Sequence, residues 1–308
     1  MKPYSASRIA LRHSRLESSC TNSKTVQSGI ALTKDLLRGA CLITSVFLLS
    51  VAMPRTQAAD SVTSMVVAKN LNNPRELTFG PDGTLYVAEA GLGAGNGAGG
   101  FGVGIGLTGS ITAIRNPASL TPTATRVVEG LASVGDTTFG FPEVQGADGI
   151  SLFGAGRLYI IMAESSQGLN LQPTDLGADQ FGHLLKANLR SGQIQSKADV
   201  GNFDFDWTKQ NQNAPFAPPG QFPDANPYGV LALPGRQYVV DAGANTLNEV
   251  DFDGSTKIIA YFPNPQVNDA VPTCIAQGSD GALYVGTLGA QVPGQAKVYR
   301  VKPNMPGI

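Results

Sequence analysis

The sequence predicts an all-β fold, a β-propeller of four-stranded blades with about four blades present, on three observations. First, one phrase recurs at 74–87, 147–160, 227–239 and 272–285. Each copy is an apolar strand, a Gly-bearing turn and a second strand with an aromatic, Tyr86, Tyr159, Tyr238 or Tyr284. Such a unit cannot bury its own face, so the copies must stack on one another. Second, alternating or β-branched segments bounded by Gly, Pro, Asn and Asp dominate after residue 60, with almost no amphipathic helix. Third, the strands fall into groups of four with a spare one in front, the arrangement that closes a propeller.

Residues 1–59 read as a leader and 60–308 as the propeller domain. Lys34 and Arg38 form a basic region, 40–53 an apolar run, and Thr56 to Ala59 a small-residue cleavage site. The apolar run is short of the roughly 20 residues of a membrane span. The expected location is therefore periplasmic or secreted, with a membrane link only through an uncleaved leader. Eight of the chain's 22 basic residues but only two of its 23 acidic ones precede Asp60, so the remainder is acidic. An acidic domain without basic runs is a poor partner for nucleic acid. Only Cys274 and His183 of their kinds lie beyond residue 59, so no disulfide is expected within the domain.

The strands are expected at 74–80, 85–90, 109–115 and 124–130 in the first blade. They follow at 149–154, 157–163, 182–189 and 194–200 in the second, and at 227–233, 237–242, 246–252 and 256–262 in the third. The fourth blade has three, at 272–278, 282–287 and 296–302. The segment 62–71 resembles the outer strand 124–131 and is expected to complete the last blade. Insertions at 91–108, 132–146, 165–181 and 202–226 belong to loops on the faces, where binding usually occurs.

The stretches Asn72 to Pro74, Phe79 to Gly83, Glu89 to Gly91, Gly146 to Gly149, Asn226 to Gly229 and Asp241 to Asn245 resemble the ScyD/ScyE family. These are exported bacterial NHL-like propellers named for the gene cluster of the pigment scytonemin. The resemblance covers about 62–302. It implies an exported propeller of mostly undefined molecular role; the function expected here is a scaffold that binds a small molecule or an envelope protein, with a link to secondary-metabolite biosynthesis. Family members carry further repeats beyond the position of Ile308, so ring closure stays open. Lactonase-type propellers share the Pro-Asp-Gly phrase, and a metal-dependent lactonase or hydrolase is the alternative.

In a propeller the start of the innermost strand and the end of the next share one face. That places Arg75, Glu76, Glu89, Asp148, Glu164, Tyr228, Asp241 and Asn245 as candidate ligand-binding residues. Glu89, Asp148, Glu164 and Asp241 form the candidate metal set, because converging carboxylates suit Ca²⁺ or another divalent cation. The competing reading is that these acids cap turns or pair with Arg75 and Arg157. His183 has no Ser or Cys nucleophile in a recognisable motif, so it is expected to pack or face solvent. The glycine-rich stretch 91–107 lacks the Gly-Lys-Ser/Thr of a phosphate loop and is expected to be a flexible loop able to act as a lid. Asp251 to Gly254 is expected to be a hairpin turn, since Phe262 stands where an EF-hand needs its Glu. Trp207 is expected to pack its insertion onto the propeller.

Overall fold

A computed structural model describes residues 64–303 except 96–99, 139, 155, 218–220 and 264–268. The leader expected at 1–59 lies outside the described residues. Among the described residues sixteen strands form four antiparallel sheets; fifteen fall in the expected groups, and the sixteenth, a short strand in the insertion 132–146 expected to be a loop, joins the first sheet. The first blade holds β1 (Pro74–Phe79), β2 (Leu85–Glu89), β3 (Gly104–Arg115), β4 (Thr123–Asp136) and a short β5 (Glu143–Gln145). The second holds β6 (Ala147–Phe153), β7 (Arg157–Met162), β8 (His183–Asn188) and β9 (Ile194–Asp199). The third holds β10 (Pro227–Leu233), β11 (Arg236–Asp241), β12 (Thr246–Val250) and β13 (Thr256–Tyr261), and the fourth β14 (Pro272–Gln277), β15 (Leu283–Thr287) and β16 (Lys297–Val301).

The inner strands β1, β6, β10 and β14 pack in succession, so the sheets follow one another as propeller blades. Period-2 alternation gives each sheet two faces, and the cores form between them. Ala88, Ile111 and Val128 of blade one meet Ile150, Leu158, Ile160 and Met162 of blade two. Tyr159, Ile161 and Leu184 meet Val230, Val239 and Val250. Tyr238, Val240 and Leu247 meet Leu283 and Val285. The four tyrosines occupy equivalent register positions, opposite Thr78, Ser151, Leu231 and Ala276. Three of them face the following blade. Tyr284 instead accepts from Arg300 Nε at 3.2 Å and donates to Asp280 at 3.2 Å.

Among the described residues of the expected N-terminal clasp, 64–71, no strand joins the last blade. The last sheet has three strands, and Val67, Ala68 and Leu71 pack on Leu85, Val87 and Ile114 of the first blade. Asn70 and Asn73 sit at φ 59° and 53°, which breaks an extended run there. Ala90 and Gly91 donate their N–H groups to the carbonyls of Asn73 and Asn72, anchoring the segment locally.

Two further differences come from the insertions. The segment after β9 contains a helix, α1 (Val200–Asn211), which the strand pattern did not predict; Asp199 caps it by accepting from Asn202 N at 3.0 Å. The glycine-rich stretch, in its described part, is packed backbone instead of an open lid. Gly93 and Gly102 form a parallel bridge, and a Cβ on Gly93 would lie 2.3 Å from Gly102 O. Asp251 to Gly254 turns as expected, with Gly254 N donating to Asp251 O at 3.0 Å. Trp207 also behaves as expected, stacking on Phe216 at 5.9 Å and meeting Tyr261 at 5.5 Å.

Inner strands β6 and β10 approach so closely that a Cβ on Gly149 would stand 2.5 Å from Tyr228 O. That oxygen is backbone and cannot swing aside, so Gly149→Ala is expected to cost about 2–3 kcal/mol in urea unfolding. Gly235→Ala meets no neighbour within 4 Å but strains φ +82°. It is expected to lose less, about 1 kcal/mol. Equal losses would contradict the close approach.

Candidate functional site

Every inner strand carries a register irregularity just after its first residue. A bulge of this kind re-aims the extra side chain. The residues it re-aims are Arg75, Asp148, Tyr228 and Thr273, one per blade. Arg75 Nε lies 3.5 Å from Asp148 Oδ1, and the Arg75 guanidinium also donates to Val144 O. Arg75 and Asp148 both act on the Tyr228 phenol. Glu76, where the other copies carry Gly149, Gly229 and Cys274, accepts from Ile150 N at 2.9 Å. The predicted residues Arg75, Glu76, Asp148 and Tyr228 are thus brought together at the inner-strand ends of the first three blades.

Asp148 is fully buried, and neither carboxylate oxygen has a hydrogen-bond partner. Desolvation pushes its pKa up to about 7, against the pull of Arg75. Burial likewise raises Glu76 to about 7. Glu164 is raised to about 8, by desolvation first and then by the negative charge of Asp224, Asp148 and Glu143. Asp224 is raised to about 7 by burial and by Asp241 and Asp269. Glu164 has φ 66° and its N–H donates to Asn226 Oδ1 at 3.2 Å. The result is an acidic face with Arg75 as its one cation among the residues named, and with several acids protonated near neutral pH. Glu143 and Asp224 were missed from sequence because both lie in connections outside the repeated phrase.

The other predicted residues are elsewhere. Glu89 is fully buried beside Arg126, whose Nη2 lies 2.9 Å from Glu89 Oε2. It also accepts from Ser110, Thr112 and Asn72 N. These bonds, with the Arg126 charge, overcome desolvation and hold its pKa below the usual carboxylate range. Asp241 accepts from Asn226 N and Ala244 N, both at 2.8 Å, and touches Asp204 of α1. Asn245 accepts from Ala270 N and Val271 N at 2.9 and 2.7 Å, so it caps a loop. Glu89 and Asp241 stand three residues after their tyrosines, on the face turned toward the preceding blade. In the second blade that register position holds Met162, not Glu164. Of the expected metal set, Asp148 and Asp241 both act on Glu164 through their charge, while Glu89 is held apart in its pair with Arg126. Among the described residues no three Asp, Glu, His or Cys side chains are grouped to hold a metal ion. His183 lies 2.7 Å from Ser196 Oγ and 3.5 Å from Asp199.

No protein-family model matches the chain, and no curated protein matches it. Solved structures similar to it include a luciferin-regenerating enzyme, at 14% identity and TM-score 0.42, covering 75% of this chain and 62% of that one. A gluconolactonase from Xanthomonas campestris is similar at 13% identity and TM-score 0.41, covering 79% and 61%. The calcium-binding protein regucalcin from Agrobacterium tumefaciens is similar at 14% and 0.39, covering 75% and 62%. The chain spans about three-fifths of the length of each of these proteins.

Proposed function

We propose that this chain is an exported scaffold of the ScyD/ScyE kind, working in the periplasm or outside the cell, that binds a small polar molecule at its inner-strand face. One observation carries this reading. Asp148 and Arg75 Nε are buried and joined only by a long ion pair of 3.5 Å, with neither carboxylate oxygen nor the Nε in a hydrogen bond of normal length. A buried donor and acceptor without such bonds cost stability unless something supplies them. A ligand with a hydroxyl or amide N–H for Asp148 and an acceptor oxygen for Arg75 supplies both. Tyr228 adds an aromatic wall with a polar tip. The leader pattern at 34–59 supports export, and sequencing the mature N-terminus tests it.

The binding reading predicts that hydroxylated and amide-bearing small molecules raise the melting temperature of the wild-type protein. The shift disappears in Asp148→Asn and Arg75→Met, while Tyr228→Phe weakens it. A panel in which no compound shifts the melt, or in which all variants respond like wild type, refutes it.

A second reading, a lactonase-like hydrolase, is favoured by Glu164 and Asp148 having pKa values of about 8 and 7. Carboxyls tuned so close to neutral can act as general acid and base. The assay is acid release from an aldonolactone, with and without added divalent cation. The hydrolase reading requires turnover that falls at least tenfold in Glu164→Gln.

A further inference from the structure

The second and third blades part at the strand ends farthest from Arg75 and Asp148. Asp148 stands near the start of β6 and Phe153 at its end, so the two are roughly 16 Å apart at the rise of an extended strand. The gap between the blades is a cavity of about 410 Å³, an ordinary size for a small-molecule pocket. Period-2 alternation builds it. Tyr159 and Val239 lie on the two faces that meet in the core between these blades. Arg157 precedes Tyr159 by two residues, Lys186 stands opposite Tyr159, and Gln237 precedes Val239 by two. Each therefore shares the face of its neighbour, and all three line the cavity. Phe153, opposite Arg157, adds to one wall. The hairpin turn after β12 forms the rim: Lys197 Nζ donates to Phe252 O and lies 5.4 Å from the Phe252 ring centroid. A Cβ on Gly254 would collide with Lys197 O, so the turn is seated directly on β9.

Arg157, Lys186 and Lys197 line this cavity against one acid, Asp253, although the chain beyond residue 59 is acidic. Asp253 is engaged by its own turn, accepting from Ser255 N at 2.9 Å and Ser255 Oγ at 2.7 Å. Arg157 and Lys186 form no ion pair among the described residues. A separate sign comes from Gln237, which is 4% exposed and whose Oε1 has no hydrogen-bond partner. A buried acceptor costs stability unless a donor reaches it. Unpaired cations call for an anion, and the Arg157 guanidinium matches the two oxygens of a carboxylate. Phe153, Tyr159 and the Phe252 ring, which is 86% exposed, offer faces and edges to an aromatic ring. The Gln237 oxygen accepts from a hydroxyl or an N–H.

We propose that the cavity between the second and third blades binds a small aromatic carboxylate that carries a hydroxyl or N–H. Arg157 and Lys186 hold the carboxylate, the aromatic side chains sandwich the ring, and Gln237 accepts from the ring's donor group. The site shares no residue with the Arg75–Asp148 face and does not depend on the binding reading above.

The test titrates the purified full chain with 4-hydroxybenzoate, benzoate, benzyl alcohol and inorganic phosphate by isothermal titration calorimetry. The hydroxylated acid is expected to bind tightest, with benzyl alcohol and phosphate roughly tenfold weaker or worse, because each lacks either the charge or the ring. Arg157→Met and Lys186→Met, both at exposed positions, are each expected to weaken the hydroxylated acid about tenfold, the loss of one charge-assisted bond. Gln237→Met is expected to weaken it about fivefold and to leave benzoate unchanged, since benzoate has no donor for that oxygen. Circular dichroism checks that each variant folds; should Gln237→Met not fold, the preference of the wild-type protein for 4-hydroxybenzoate over benzoate reads the same contact. Asp148→Asn is expected to bind both acids as the wild type does, which separates this site from the inner-strand face. Phosphate bound as tightly as the hydroxylated acid, wild-type affinity in Arg157→Met and Lys186→Met, loss of binding in Asp148→Asn, or no binding of either acid overturns the proposal.

Discussion

Replacing Arg126 with alanine is expected to cost about 3 kcal/mol of folding stability, the low end for a broken buried pair. Glu89 has no exposure, and Arg126 is its only ion-pair partner among the described residues. The variant leaves a buried carboxylate held only by Ser110, Thr112 and Asn72 N. The cost stays at the low end because those three bonds remain and because the Arg126 side chain is 36% exposed. Arg126 also donates to Asn70 O at 3.3 Å. Its loss therefore loosens the segment that covers Leu85, Val87 and Ile114, and proteolysis near Asn70 is expected to quicken. Urea unfolding of Arg126→Ala, Glu89→Gln and the double variant reads the pair. The double variant is expected to recover part of the single-variant loss, because the uncompensated charge goes with its partner. A loss below about 1 kcal/mol in Arg126→Ala would place the pair among surface ion pairs of little consequence.

The placement of Glu89 also explains what sequence could and could not reveal. The blades were legible because each repeat alternates apolar and polar residues and ends in a Gly-bearing turn; β7, for example, was expected at 157–163 and runs over Arg157–Met162. Arg75, Asp148 and Tyr228 were legible as candidates from their place near the start of an inner strand, although Asp148 was expected just before a strand at 149–154 and stands second in β6 (Ala147–Phe153); the bulges themselves left no signal. Glu89 and Asp241 were correctly seen as equivalent to each other. Their direction was not, because an odd offset from the tyrosine turns a side chain to the opposite sheet face. They meet the preceding side of their own blade: Arg126 in one case, α1 in the other.

Helix α1 escaped notice for a related reason. Its buried face is Val200, Gly201, Asp204 and Thr208, which lacks the apolar stripe that marks a helix. The spacing of four between Val200, Asp204 and Thr208 was the available signal, but only the structure supplies polar partners that make burying Asp204 tolerable. The strand extensions Gly104 to Thr108 and Leu131 to Asp136 were hidden in the same way. Glycine weakens strand propensity, yet here Gly106 and Gly135 allow close packing against Gly93 and Gly102.

The raised acids make stability fall as pH rises. Glu76, Asp148 and Asp224 have folded-state pKa values of about 7, and Glu164 of about 8; in the unfolded chain such groups titrate near 4. Between about pH 4 and pH 8 the folded protein therefore holds protons that the unfolded chain has released. The stabilisation is complete below the unfolded values and is lost as pH climbs through the folded ones. Glu89, Asp199 and Glu249 work in the opposite sense: their pKa values are depressed, so their contribution is lost only as pH falls below about 4. The protein is thus expected to be most stable near pH 5. Stability should fall by roughly 3 kcal/mol between pH 5.5 and 8.5, since a tenfold change in proton affinity is worth about 1.4 kcal/mol and the acids influence one another. Asp148→Asn carries no titrating group at that position, so its stability profile is expected to be visibly flatter. Urea melts across that range decide the point. A stability that rises from pH 6 to pH 8 would mean these carboxylates are solvated and ordinary, and the inner-strand face would lose the desolvation on which its binding role depends.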